Sequence, residues 1–345
     1  MAWITSAADE FHSFMKKKKS FMENELTTMT AGMSARSKKN MSRRPLGIAI
    51  FVALLTGLAT YFLFNTAEKN QKMGTAQDSP EKVEIAFTDK GVDWVARYGK
   101  AVRVKTKNAG LNFYSIEPLL LQKNMVVTVK TTNLATNFSN VTILKGTEDQ
   151  DRGGGMVSLF MTMQVTPDEF VSHDMTRQYV LQLVQSLRQT GWQRYIPQTD
   201  PRLTGKITLG YFNGSYIDPD YPISFEEWML LPTSFSWKFY ADHTYLKLRV
   251  QRDSDHMSPD KPGVYVISLH FDPSEEVERM EVDEDDREQW RKTWVPRATK
   301  WRTERNQAEA KLRAQGIATD TTYKDPPLPP APQGQRNPEL PEGLK

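Results

Sequence analysis

The chain has 345 residues, 45 Lys and Arg against 42 Asp and Glu, a formal charge of +3, and no cysteine. The absence of cysteine excludes thiol catalysis, iron–sulfur centres, thiolate zinc sites and a disulfide framework, and in a chain with a large extracytoplasmic part it points to a bacterial envelope. Residues 1–44 hold nine basic and four acidic side chains, so everything beyond them sums to −2 and carries no overall basic footprint for nucleic acid.

The first organising stretch runs from Leu46 to Phe64, LGIAIFVALLTGLATYFLF, nineteen residues without charge or proline. As a helix it reaches roughly 28 Å, the thickness of a bilayer's hydrocarbon core, with its backbone hydrogen bonds closed internally. Residues 30–44 carry five Lys or Arg and residues 66–80 only two, which predicts a cytoplasmic head and a periplasmic remainder. The apolar run is longer than a cleaved leader's and no small-x-small site follows it, so residues 45–65 read as a signal anchor in the bacterial inner membrane. Residues 1–44 are then a basic head, with a start at Met1, Met29, Met33 or Met41. Ala49, Ala53 and Gly57 share one face of the span at four-residue spacing, a pattern that permits a homodimer through the membrane.

Residues 66–80 are polar and read as a tether, and residues 81–150 as a β-rich subdomain. Its short alternating runs are KVEIAF, AVRVKT, NMVVTVKTT and NVTILKG, with VDWVARYG (92–99) a short helix or a further strand. The glycine-rich EDQDRGGG (148–155) is a connection, since it lacks the lysine and the following helix of a phosphate loop. Residues 151–275 read as an α+β subdomain. MVSLFMTMQV is an apolar strand, and a helix is predicted over Thr166 to Thr190. Thr166, Pro167 and Glu169 form its start, Tyr179, Val180, Leu183, Val184 and Leu187 its apolar face, and Gly191 its stop. His173 and Asp174 are placed on its exposed polar face. GKITLGYFNG (205–214) and FEEWMLLPTS read as strands, Pro232 marking an end or an edge. SWKFYADHTYLKLRVQRD is a hairpin turning at Ala241 to Thr244, and GVYVISLHFDP (263–273) is one more strand. The fold class is therefore α+β, a mostly antiparallel sheet with the 166–190 helix packed on it.

Residues 276–316 are charged and helical, acidic residues leading and basic ones following, with Pro296 expected to kink or break the helix. Residues 317–345, PPLPPAPQGQRNPELPEG included, read as a proline-rich disordered tail. Trp290, Trp294 and Trp301 lie near one side of the C-terminal helix among Arg and Lys, a composition suited to a partner interface.

No catalytic constellation emerges. The five histidines (His12, His173, His243, His256 and His270) show no helical metal spacing, and Asp242-His243 and Asp255-His256 fall in turns. The acidic run Glu275 to Glu288 lacks the glycine and spacing of a calcium loop. No catalytic, metal or cofactor residue is assigned, and no cofactor is expected.

The layout, a basic head, one anchor and a cysteine-free α+β domain with RQYVLQLVQSLRQTGWQRY ahead of an aromatic sheet, resembles the membrane-anchored periplasmic immunity proteins of type VI secretion effectors. That resemblance implies stoichiometric blocking of a toxin in the periplasm. The layout is also similar to the VirB-type periplasmic subunits of type IV secretion machines, whose domain is about half this size. Both resemblances cover architecture and carry no site residue. The sequence thus points to a non-enzymatic, membrane-tethered binding protein with a protein partner: an immunity protein first, a structural subunit of a secretion complex second, a periplasmic enzyme third.

Overall fold

The computed structural model describes residues 80–342, apart from 107–109, 119–123 and 153. The anchor expected at Leu46 to Phe64, its small-residue face at Ala49, Ala53 and Gly57, the basic head and the tether to Ser79 lie outside the described residues. Among those described, no helix is long and apolar enough to cross a membrane. Residues 279–288 form a unit apart from the main body, in which Arg279 pairs with Glu288.

The main body is built on one mixed, mostly antiparallel sheet of ten strands. In chain order these are β1 (Lys82–Ala86), β2 (Arg103–Thr106), β3 (Leu111–Ile116), β4 (Met125–Lys130), β5 (Ala135–Asp149), β6 (Met156–Met163), β7 (Gln193–Arg194), β8 (Ser234–Ala241), β9 (Thr244–Arg252) and β10 (Tyr265–Pro273). Their spatial order is β1-β4-β5-β6-β10-β9-β8-β7, and only the β1–β4 pair is parallel. The β2–β3 hairpin joins through the length of β5: Ala135 to Val141 pair with β4, while Leu144 to Asp149 pair with β3. A bulge between Val141 and Ile143, preceded by Asn140 at φ 58°, separates the two halves and re-aims the strand. Because β5 pairs with β6 across residue 150, a single sheet runs through both subdomains expected from the sequence.

Alternation decides the faces. Phe235, Trp237 and Phe239 of β8, Leu246, Leu248 and Val250 of β9, and Ile267, Leu269 and Phe271 of β10 are all buried and share one core. Helix α1 (Gly91–Tyr98) covers one end of this face, with Trp94 lying so close over Gly146 that a Cβ there would meet the indole at 3.0 Å. Helix α2 (His173–Gln189) covers the middle with Val180, Val184 and Leu187, each contributing roughly 1.5–3 kcal/mol by leaving water. Tyr179 and Leu183 pack beside them, so the apolar face read from the sequence is the packed one. Gly191, at φ 106°, ends the helix as expected.

Four expectations are corrected. Helix α2 starts at Ser172, whose hydroxyl accepts from the Met175 N–H, rather than at Thr166; residues ahead of it are held out by the Val171–Gly263 bridge. His173 is buried at 2% exposure instead of lying on a polar surface. The stretch 205–214 is a short helix, α3 (Gly205–Tyr211), and FEEWML is another, α4 (Phe225–Leu230). The signal for α4 was Ser224 and Glu227, which form a reciprocal capping box at 3.2 and 3.1 Å. Arg252, buried at 1% exposure, closes its other end by donating to the carbonyls of Trp228, Met229 and Leu231, where the helix dipole favours a cation. The hairpin read in SWKFYADHTYLKLRVQRD is present, its strands longer at Ser234–Ala241 and Thr244–Arg252; Asp242 and His243 have φ of 43° and 59°, the left-handed pair of a tight two-residue turn.

After α5 (Ser274–Met280), helix α6 (Trp290–Ala314) runs unbroken through Pro296. The lost hydrogen bond falls on the carbonyl of Lys292, an exposed residue that water can serve. The proline-rich segment beyond Gly316 forms no helix or strand in its described part, yet it is tied down instead of being a free tail. The Asp325 carboxylate accepts from Arg305 at 2.9 and 3.0 Å and from Arg302 at 2.9 Å. The Tyr323 hydroxyl bonds both backbone groups of Ile196, Asp320 pairs with Arg194, and Asn337 accepts from Arg291 at 3.0 Å.

Candidate binding face

The face of the sheet opposite α1, α2 and α4 is polar. The strand register sets Arg103 beside Ser115, Ser115 beside Lys145, Lys145 beside Phe160, Phe160 beside His270, His270 beside Lys247, and Lys247 beside Lys238. One row crossing seven strands thus carries five basic side chains. The next row, Ile143, Thr162, Ser268, Arg249 and Ser236, adds a sixth cation on a floor of small hydroxyls. Near the β8–β9 turn this face is closed, Tyr195 packing tilted against Tyr245 at 4.5 Å, and Ile143, Ser268 and Ser236 of the second row are buried; Arg103 and Lys247 are exposed and Lys145 and His270 half-buried.

The acidic groups on the face are few, and each is taken up. Glu117 lies 3.5 Å from Arg103, Asp272 lies 3.1 Å from His270 Nε2, and Asp200 lies 3.8 Å from Lys238, whose ammonium also sits 4.8 Å from the Tyr216 ring. Burial lowers the pKa of Lys145 and of Lys238. Lys247 has no carboxylate at ion-pair distance among the described residues. Desolvation by the sheet surface, then Arg249 and Lys238, hold it down to about 8 although its side chain still reaches water. For His270, burial opposes the charged form and the Asp272 carboxylate outweighs it, so the net direction is upward.

Ser158 Oγ lies 2.9 Å from His270 Nε2, a contact that invites a serine-hydrolase reading. The geometry does not support one. The same nitrogen faces Asp272, so it cannot both accept the serine proton and donate to the carboxylate, whereas a relay uses the two ring nitrogens separately. The Asp–His turns have structural tasks. Asp242 accepts from Asn133 N at 2.6 Å, Asn133 Nδ2 at 2.9 Å and Thr131 Oγ1 at 2.8 Å, tying the β8–β9 turn to the β4–β5 turn. His256 Nδ1 bonds Asp253 at 2.9 Å within its own loop. His173 is enclosed between Tyr265 Oη at Nδ1 and the Ser258 carbonyl, 3.1 Å from Nε2. Desolvation first, then the nearby Arg252, keep its pKa below the ordinary value. Among the described residues no group of three His, Asp or Glu side chains is placed to hold a metal.

Of the tryptophans expected to form an interface, Trp290 and Trp294 are buried at 1% and 3% exposure and Trp301 is half-buried beneath the Arg297 guanidinium. Trp290, Trp294 and Ala298 follow at four-residue spacing as an inward stripe, completed by Arg305, Glu309 and Leu312. The surrounding cations serve the fold: Arg291 pairs with Glu275, Arg297 with Glu278, and Glu309 with Arg202 and Arg313. No single run of sequence marks the basic row. The signal lay in the outward positions of the strands, Lys145, Lys238, Lys247, Arg249 and His270, and only the register brings them together. The chain matches no family model, no curated protein and no solved structure.

Proposed function

We propose that the protein is a non-enzymatic binding protein, anchored in the bacterial inner membrane by residues 46–64, that holds an acidic protein partner in the periplasm against the basic row of its sheet. The observation carrying this reading is the row itself: basic side chains from Arg103 to Lys238 in register, with Lys247 at no ion-pair distance from a carboxylate among the described residues. Positive charge gathered on one surface raises association rate and selects oppositely charged partners. The structural tasks of the Asp–His turns and the one-nitrogen arrangement at Ser158 and His270 favour binding over turnover. In the form suggested by the layout, the partner is a secreted antibacterial effector whose working surface is covered one to one.

The test is affinity purification of the full chain from native membranes, beside a charge-reversed Arg103→Glu, Lys247→Glu variant. The expected result is one near-equimolar acidic partner that is lost from the variant and released as salt rises. Recovery of a series of envelope proteins would move the reading to a secretion scaffold. Capture unchanged by charge reversal would overturn the assignment of the face.

A further inference from the structure

We propose that Lys247 and His270 together form an oxyanion seat, built to receive a carboxylate or phosphate group, at the centre of the basic row. The inference rests on the binding-face reading above and names the chemistry at its focus. The two residues are direct cross-strand neighbours on β9 and β10, which places their side chains side by side on one face. Lys247 is exposed and has no carboxylate at ion-pair distance among the described residues. His270 is fixed through one nitrogen only: Nε2 faces Asp272 at 3.1 Å and Ser158 at 2.9 Å, while Nδ1 has no hydrogen bond among the described residues.

The Asp272 carboxylate favours the imidazolium, in which Nδ1 is a donor. An ammonium and an imidazolium N–H on adjacent strands match the two oxygens of a carboxylate or two of a phosphate. Lys238 lies across β8 from Lys247, and Arg249 lies two residues along the same strand face. Their charges concentrate potential on the seat without occupying it: Lys238 is drawn to Asp200 and the Tyr216 ring, and Arg249 donates to Ser234 at 2.8 Å.

The crowding supplies a signature. Desolvation first, then Arg249 and Lys238, press the Lys247 ammonium toward its neutral form, and Asp272 is the acidic group acting in the other direction. An oxyanion in the seat reverses that pressure, so binding at pH 8 takes up a proton and affinity rises as pH falls from 9 to 7.

The test uses the full chain in detergent at constant ionic strength, titrated calorimetrically with inorganic phosphate and, separately, with triglutamate, in two buffers of different ionisation enthalpy. The expected result is saturable one-site binding of at least one probe with proton uptake at pH 8, weakened at least tenfold in Lys247→Met and in His270→Gln. Lys292→Met, on the exposed surface of α6, should bind as the parent does. Tighter binding of triglutamate would assign the seat to a partner's acidic side chains, and tighter binding of phosphate to a phosphorylated ligand. Saturable binding that Lys247→Met leaves intact would overturn the seat while leaving the wider face standing. Binding of neither probe would also overturn it, and partner capture by the parent chain would then decide the wider reading separately.

Discussion

Two regions of this protein are rich in cations, and they treat them oppositely. Along α6 the arginines are answered one by one, Arg291 by Glu275, Arg297 by Glu278 and Arg305 by Asp325, and its Glu309 answers Arg202. Across the polar face of the sheet, Lys247 stands close to Arg249 and Lys238, and desolvation pushes both Lys145 and Lys247 toward neutrality. Guanidinium groups in bidentate contact with buried carboxylates hold a structure together. Amines held among like charges cost stability and are tolerated where an outside anion repays them. The net charge beyond residue 44 hides this contrast, because the acidic residues that balance the total are spent at the C-terminal end.

On the paired side, one carboxylate matters most. Glu309 is fully buried and accepts from Arg202 at three points, backbone N, Nε and Nη2, at 2.9, 2.8 and 2.7 Å. Glu309→Ala strands that guanidinium, and chemical denaturation should show a loss of about 3 kcal/mol, the low end for a broken buried pair because Arg202 keeps some solvent. A smaller loss is expected for Asp242→Ala, about 1–2 kcal/mol, since three donors from the β4–β5 turn lose their acceptor.

The titrating residues sharpen the contrast through pH. The His173 pKa lies below 6.5 in the folded state, so between that value and 6.5 the unfolded chain binds the extra proton. Its contribution is fully present above pH 6.5 and is lost as pH falls below it. His270, raised by Asp272, runs the other way: its contribution is full below 6.5 and fades as pH rises through the higher folded value. Denaturation midpoints from pH 5 to 8 should therefore fall less on acidification in His173→Asn than in the parent, and less on alkalinisation in His270→Gln.

The smallest effect is the most telling. Removing an unanswered cation should relieve the face, so Lys247→Met is expected to raise Tm by about 2 °C at pH 7 while weakening partner capture. Gain of stability with loss of binding separates a working surface from a structural one. A Lys247→Met protein that melts lower would place Lys247 among the paired, structural charges instead.

What was legible in the sequence follows the same division. Strands with strict alternation, such as Thr244 to Arg252, declare their faces without tertiary help, and so did the Val180, Val184, Leu187 stripe of α2. Short helices did not: GKITLGY and FEEWML are too brief for a 3.6-residue period to outweigh their β-like composition, and only Ser224 with Glu227 marked one of them. Trp290 and Trp294 suggest an interface because aromatic and basic residues stand together in the sequence, but the partners that bury them come from distant stretches. The row from Arg103 to Lys238 was legible only residue by residue, since its members are set side by side by the pairing of seven strands.

The two regions are told apart by the rate at which single lysines react with an amine-acylating reagent in native membranes at pH 8, with and without the captured partner. In the free protein Lys247 should react faster than Lys292, because its lowered pKa leaves more neutral amine. The complex should slow Lys247 severalfold and leave Lys292 unchanged. Protection of α6 with Lys247 still fully reactive would rule out the sheet face and move the partner to the other region.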